Sequence, residues 1–129
     1  SSNRIQVFEQ DGTYLFEKLI LNETLSQGST WDLDFSRDAD QKYIYLADGQ
    51  NQRVYIIERS TMEVLTKFGG GGRQPGLWFA PHSLATDSKG NIYTTETYEG
   101  KRIQKFIAKG ITDIPAMDQG ALWPAGELN

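Results

Sequence analysis

Apolar and polar residues alternate along this chain in short runs, and helical spacing is nowhere sustained. Asn3 to Phe8, Thr13 to Leu19, Trp31 to Phe35, Tyr43 to Asp48, Gln52 to Ile57, Glu63 to Phe68, Pro81 to Ala85, Ile92 to Glu96 and Lys101 to Phe106 are runs of five to seven residues. A period near two puts successive side chains on opposite faces of an extended strand. The runs are rich in Val, Ile, Tyr, Phe and Thr, which fit a pleated, half-buried surface. Turn formers such as Asp11-Gly12, Asp40-Gln41-Lys42 and Lys89-Gly90-Asn91 separate them, as antiparallel hairpins require. The pattern predicts an all-β fold.

The runs also repeat. Asn3-Arg4-Ile5-Gln6-Val7-Phe8 recurs as Gln52-Arg53-Val54-Tyr55-Ile56-Ile57 and as Lys101-Arg102-Ile103-Gln104-Lys105-Phe106, so that Arg4, Arg53 and Arg102 are each 49 residues apart. Trp31-Asp32-Leu33-Asp34-Phe35 and Tyr43 to Asp48 correspond in the same way to Pro81-His82-Ser83-Leu84-Ala85 and Ile92 to Glu96. Four antiparallel strands every 40 to 50 residues or so form a β-propeller blade, whose faces are buried only against neighbouring blades. The boundaries expected are 1–21 for the outer strands of a first blade, 22–69 for a second, 70–110 for a third and 111–129 for an extended tail. Asn22 to Thr30 and Gly69 to Gly76 fall where the chain crosses between blades.

These stretches resemble the NHL-repeat propellers, and within them the bacterial proteins related to the peptidyl-α-hydroxyglycine α-amidating lyases. The resemblance covers about residues 2 to 109. Its most specific pieces are Ser2 to Phe8, Tyr45 to Val54, Phe68-Gly69 through Pro75-Gly76 to Pro81-His82-Ser83-Leu84-Ala85, and Gly100 to Phe106. It implies a ring of about six blades, of which this chain holds about two and a half: a partial propeller. Two explanations stand. The chain is the C-terminal part of a longer propeller, processed or truncated, since it lacks an initiator Met; or identical copies supply the missing blades. In the second case a homo-oligomer, dimer or trimer, closes the ring by cyclic symmetry, residues 3 to 19 offering outer strands and 82 to 107 inner ones.

Composition narrows the partners. An apolar share of 38% over 129 residues suffices for a core. Seventeen acidic and thirteen basic side chains, with no dense Lys/Arg cluster, give a net charge of −4, which argues against nucleic acid and anionic lipid. The longest apolar run, Tyr43 to Ala47, is far below the roughly 20 residues of a membrane-spanning helix, so no membrane partner is expected; the location is left open, with secreted or periplasmic ranked above membrane. Absence of cysteine removes disulfides, thiolate chemistry and cysteine-based zinc sites. Asn22-Glu23-Thr24 matches the N-glycosylation pattern.

The candidate chemistry centres on His82, the single histidine. In a propeller the start of each inner strand lies at the mouth of the central channel, and Asp32 is the repeat counterpart of His82. The resemblance to the lyases implies that a Pro-His here donates an imidazole to a zinc, with calcium held in another blade. Three neutral imidazoles and one open position make a catalytic site. The match stops short at two places: Gly49 and Thr97 follow Asp48 and Glu96 where the lyases have arginine, and Ser83 stands where one of their calcium-binding blades has aspartate. A hydrogen-bonded structural role for His82 stays open beside the metal role. Arg73 and Trp78 precede the His82 strand and, with Asp32, are the expected substrate contacts: Arg for a carboxylate, Trp for stacking. Core packing is equally open for Trp78. Tyr98 and Glu99 are expected at the opposite rim.

Recurrence of Arg4, Arg53 and Arg102 marks architecture. They are expected to pair with the carboxylates ending the adjacent strand, such as Asp48 and Glu96, and to fix hairpin register; exposed pairs contribute about 0.2 to 1 kcal/mol. Gly69 to Gly72 lacks the Lys-Ser/Thr of a phosphate loop, so neither nucleotide nor haem is expected. The tail gives no period, and Leu122 and Trp123 favour its docking on a neighbouring blade. Two functions follow. One is a metal-assisted hydrolase, lactonase or lyase acting on a small or ester-like substrate. The other is a non-catalytic scaffold that binds a peptide, protein or glycan.

Overall fold

In the computed structural model the described residues are 3–20, 23–26 and 28–109. The tail with Leu122 and Trp123, and Asn22 of the glycosylation pattern, lie outside them.

Alternation decides where the strands form. Among the described residues there are nine: β1 (Arg4–Phe8), β2 (Tyr14–Leu19), β3 (Asp32–Phe35), β4 (Tyr43–Asp48), β5 (Arg53–Glu58), β6 (Glu63–Phe68), β7 (Pro81–Thr86), β8 (Ile92–Glu96) and β9 (Ile103–Phe106). The fold is all-β. Each strand pairs antiparallel with its neighbour in sequence, giving three open sheets in the orders β1-β2, β3-β4-β5-β6 and β7-β8-β9. All three repeats begin one or two residues later than the sequence pattern suggests. Gln52 and Lys101, 49 residues apart, both adopt positive φ, 61° and 49°, and this left-handed turn delays the ladder to Arg53 and Ile103.

The four-stranded sheet lies between the other two, and its two faces form two cores. Ile44 and Leu46 of β4 join Tyr55 and Ile57 of β5 with Ile5, Ile20 and Met62, and Leu33 and Phe35 pack against them. The intervening residues Ala47 and Val54 turn the other way onto Trp78 and Leu84, flanked by Tyr45, Phe68 and Phe106. Full burial of each such aliphatic side chain contributes about 1.5–3 kcal/mol. The outermost sheets end this stacking with apolar residues still in water: Phe8, Tyr14, Phe16 and Leu19 on one, Ile103 and Ile107 on the other.

Side-chain carboxylates join β3 to β7. Asp32 Oδ2 accepts from the Leu84 N–H at 3.0 Å, and Asp34 Oδ2 accepts from the Thr86 N–H at 2.9 Å and the Thr86 hydroxyl at 3.0 Å. Arg37 adds Nε–H to the Thr86 hydroxyl at 2.6 Å and Nη2–H to the Thr86 carbonyl at 3.0 Å. Two steps along β3 match two along β7, so the strands run side by side in the same direction. Hydrogen bonds to charged groups of this kind contribute about 1.5–3 kcal/mol each. The link before β7 depends on one glycine: Gly69 has φ of +93°, and a Cβ there would overlap the Trp78 ring.

Candidate functional site at the strand starts

Because β3 and β7 run in parallel and each is followed by an antiparallel partner, the β4–β5 and β8–β9 turns return to the same end at which β3 and β7 begin. Tyr98 and Glu99 therefore share the rim of Arg73, and the expectation of an opposite rim is corrected. Arg73 Nη2 lies 3.2 Å from Glu99 Oε2, and Arg73 Nη1–H donates to the Glu99 carbonyl at 3.3 Å. Both side chains are mostly exposed, so the pair is a weak strap between loops.

His82 stands exposed at this end. Its ring meets Trp31 edge to face, centroids 5.6 Å apart at 71°, and Nδ1 is 3.2 Å from Ser83 Oγ. Trp31 is held in turn by its indole N–H, which donates to the Gly28 carbonyl at 2.9 Å, and by the Gly49 backbone, where a Cβ would collide with the ring. Asp32 sits at the start of β3, but its carboxylate is committed: Oδ1 accepts from the Leu33 N–H at 2.9 Å and Oδ2 from Leu84. It joins strands. Of the two roles open to Trp78, the structure shows packing. The ring is fully enclosed, 5.6 Å from Phe68 and 5.2 Å from Phe106, and its N–H donates to Thr94 Oγ1 at 2.9 Å. No face is left for a substrate.

The three recurring arginines have three fates. Arg102 meets Glu96, whose side chain is fully buried, and also donates to the carbonyls of Gly72, Arg73, Gln74 and Leu77. Glu96 accepts a further N–H from Phe79 at 2.7 Å. Carboxylate and guanidinium thus clasp the loop ahead of β7. Arg4 lies 3.6 Å from Glu17 on the neighbouring strand β2, both exposed. Arg53 is opposite Asp48 in the ladder yet forms no ion pair among the described residues. Asp48, one methylene shorter than Glu96, instead accepts from the Asn51 N–H at 2.8 Å and Asn51 Nδ2 at 2.7 Å. Burial pushes the Asp48 carboxyl above its ordinary range despite these bonds. Burial, reinforced by the nearby Asp48 charge, pushes the Tyr55 phenol up to about 12.

The zinc or calcium implied by the resemblance can be tested against these residues. Among the described residues no group of three or more His, Cys, Asp or Glu converges to hold a metal ion, and the Asp32 carboxylate is already bound by backbone. A single copy offers His82 alone. Sequence reasoning overlooked Trp31 as a candidate site residue, although an aromatic immediately before the start of β3 was its available signal. Comparison with known protein families and with curated proteins finds no match.

Proposed function

We propose that the three sheets are consecutive blades of an NHL-type propeller and that the strand-start end is a ligand-binding rim, with His82 and Trp31 as its contact pair. The observation that carries this reading is an exposed imidazole held edge-on to an indole at the start of two parallel, side-by-side strands. Such a pair offers an apolar surface and a polar handle together, suited to a peptide or small polar molecule. The ring reading is supported by the apolar residues left in water on both outermost sheets. It is supported too by a groove of about 480 Å³ along the unpaired edge of β1, between Arg4 to Phe8 and Thr30 to Leu33, where a further strand would add. Copies of the chain, as a dimer or trimer, or blades outside it fill those places.

A metal-assisted hydrolase, lactonase or lyase is the second reading, favoured by the exposure of His82 alone. It needs ligands from other blades, and in a closed ring of copies His82 recurs once per copy. Zinc and calcium analysis of the purified protein separates the two. Stoichiometric metal that disappears in a folded His82→Ala variant supports the enzyme. Metal-free protein whose ligand binding is lost in His82→Ala and Trp31→Ala supports the binding rim. If neither substitution affects binding, the rim proposal fails.

A further inference from the structure

Repeat-equivalent arginines ought to be satisfied alike, and they are not. Arg102 places its guanidinium on Glu96 and on carbonyls of the preceding loop. Arg53, its counterpart 49 residues earlier, leaves Nε buried with no hydrogen-bond partner. The segment before β3 is tied elsewhere: Asn3 Nδ2 donates to the Thr24 carbonyl at 2.8 Å and Asn51 Nδ2 to Thr24 Oγ1 at 3.0 Å. Between that segment and β5 an open groove of about 840 Å³ remains, with Arg53, Tyr55, Lys67, Asn51, Thr24 and Glu23 on its walls. Lys67 is opposite Tyr55 in the β5–β6 ladder and forms no ion pair among the described residues.

An enclosed guanidinium N–H without an acceptor is costly, and native proteins rarely leave one so. We propose that this groove binds a small carboxylate-bearing ligand, the carboxylate accepting from Arg53 with Lys67 as the second cation. A guanidinium matches a carboxylate in shape and charge, and the groove's volume lies within the range of about 300–1,000 Å³ common for small-molecule sites. Monovalent charge is favoured over a phosphate dianion, because Glu23 shares the groove's walls with the two cations and the buried Asp48 is opposite Arg53 in the ladder. The groove shares no residue with the His82–Trp31 pair, and the proposal holds whether or not that pair binds anything.

The test is a ¹H–¹⁵N NMR titration of the full chain with sodium N-acetylglycinate to about 20 mM, since so small a ligand binds weakly. Its neutral amide, N-acetylglycinamide, serves as control. Saturable shifts at Thr24, Asn51, Arg53 and Lys67 are expected with the carboxylate and not with the amide. Affinity should drop by about tenfold or more in Arg53→Gln, the loss of one charge-assisted hydrogen bond, and also in Lys67→Gln, which changes an exposed side chain and keeps the test available if Arg53→Gln does not fold. Absence of saturable shifts, equal response to the amide, or unchanged affinity in Lys67→Gln overturns the proposal. Tighter binding of inorganic phosphate overturns the assigned class.

Discussion

Replacing Asp34 with Ala tests the joint between β3 and β7 directly. The carboxylate takes four hydrogen bonds, from the Thr86 N–H at 2.9 Å, the Thr86 hydroxyl at 3.0 Å, the Phe35 N–H at 2.8 Å and, more weakly, Arg37 Nη2–H at 3.5 Å. Thr86 is only 8% exposed, so its amide is not readily rehydrated when the acceptor is removed. A buried donor left unpaired costs about 1–3 kcal/mol, and a hydrogen bond to a charged group contributes about 1.5–3 kcal/mol. The contributions share one side chain and are not additive, which puts the loss at about 2–4 kcal/mol against a typical total of about 5–15 kcal/mol. At about 3–5 °C per kcal/mol for a chain of this length, the midpoint falls by about 6–20 °C. Thermal and urea unfolding followed by tryptophan fluorescence measure this, because Trp78 lies enclosed in the same interface. Protein concentration is held constant, since stability depends on it in an oligomer. Asp34→Asn, which keeps a neutral acceptor, should lose about half as much. Asp40→Ala, at an exposed turn, should stay within about 0.5 kcal/mol of the parent. If Asp34→Ala loses no more than Asp40→Ala, the carboxylates do not hold the sheets together.

Three further outcomes are expected. Gly69→Ala adds both a strained positive φ and a Cβ overlapping the buried Trp78 ring, which should cost about 3 kcal/mol or more in urea unfolding; a loss below about 1 kcal/mol would contradict that packing. Arg102→Gln strips the buried Glu96 of its cation and should cost about 3–5 kcal/mol, with protease cleavage appearing first in the 69–77 loop; equal cleavage of parent and variant counts against the clasp. The side-chain amide of Asn91, helped by the N–H groups of Asn91 and Lys89 and by the Tyr93 hydroxyl, holds the Asp87 carboxyl down to about 2 from the ordinary aspartate value of 3.8. A depressed acid contributes stability above about pH 4 that is lost as pH falls through about 2; carboxyl ¹³C NMR should give a midpoint near 2, and one at or above 3.8 refutes the turn geometry.

What was legible in the sequence is what depends on neighbours along the chain. β8 spans Ile92–Glu96 as its run of β-forming residues between two turns predicts, because a strand with one packed face needs little beyond that. Pairings between distant side chains were harder to read. Arg53 and Arg102 are repeat counterparts, yet Asp48 is one methylene shorter than Glu96, and Asn51, whose counterpart is Gly100, is close enough to capture the shorter carboxylate. Repeat identity predicts the position of a guanidinium and not its partner. Likewise Arg73 and Trp78 occupy one loop, but Arg73 reaches Glu99 at the surface whereas Trp78 drops into the aromatic cluster, a choice fixed by tertiary space. The rim holding Tyr98 and Glu99 was expected on the opposite side, although strand reversal alone returns the β8–β9 turn to the start of β7. Asp32 shows the opposite limit: its position beside His82 follows from the repeat, but its bond to Leu84 exists only once two sheets are stacked.

The ring proposal rests on the uncovered apolar residues of the outermost sheets, and the mass of the particle in solution tests it most directly. Light scattering on the purified chain, alongside a β-type circular-dichroism spectrum, should give a discrete assembly of two or three times 14.5 kDa. A folded, stable monomer of 14.5 kDa at high concentration would contradict closure of the ring by copies of this chain.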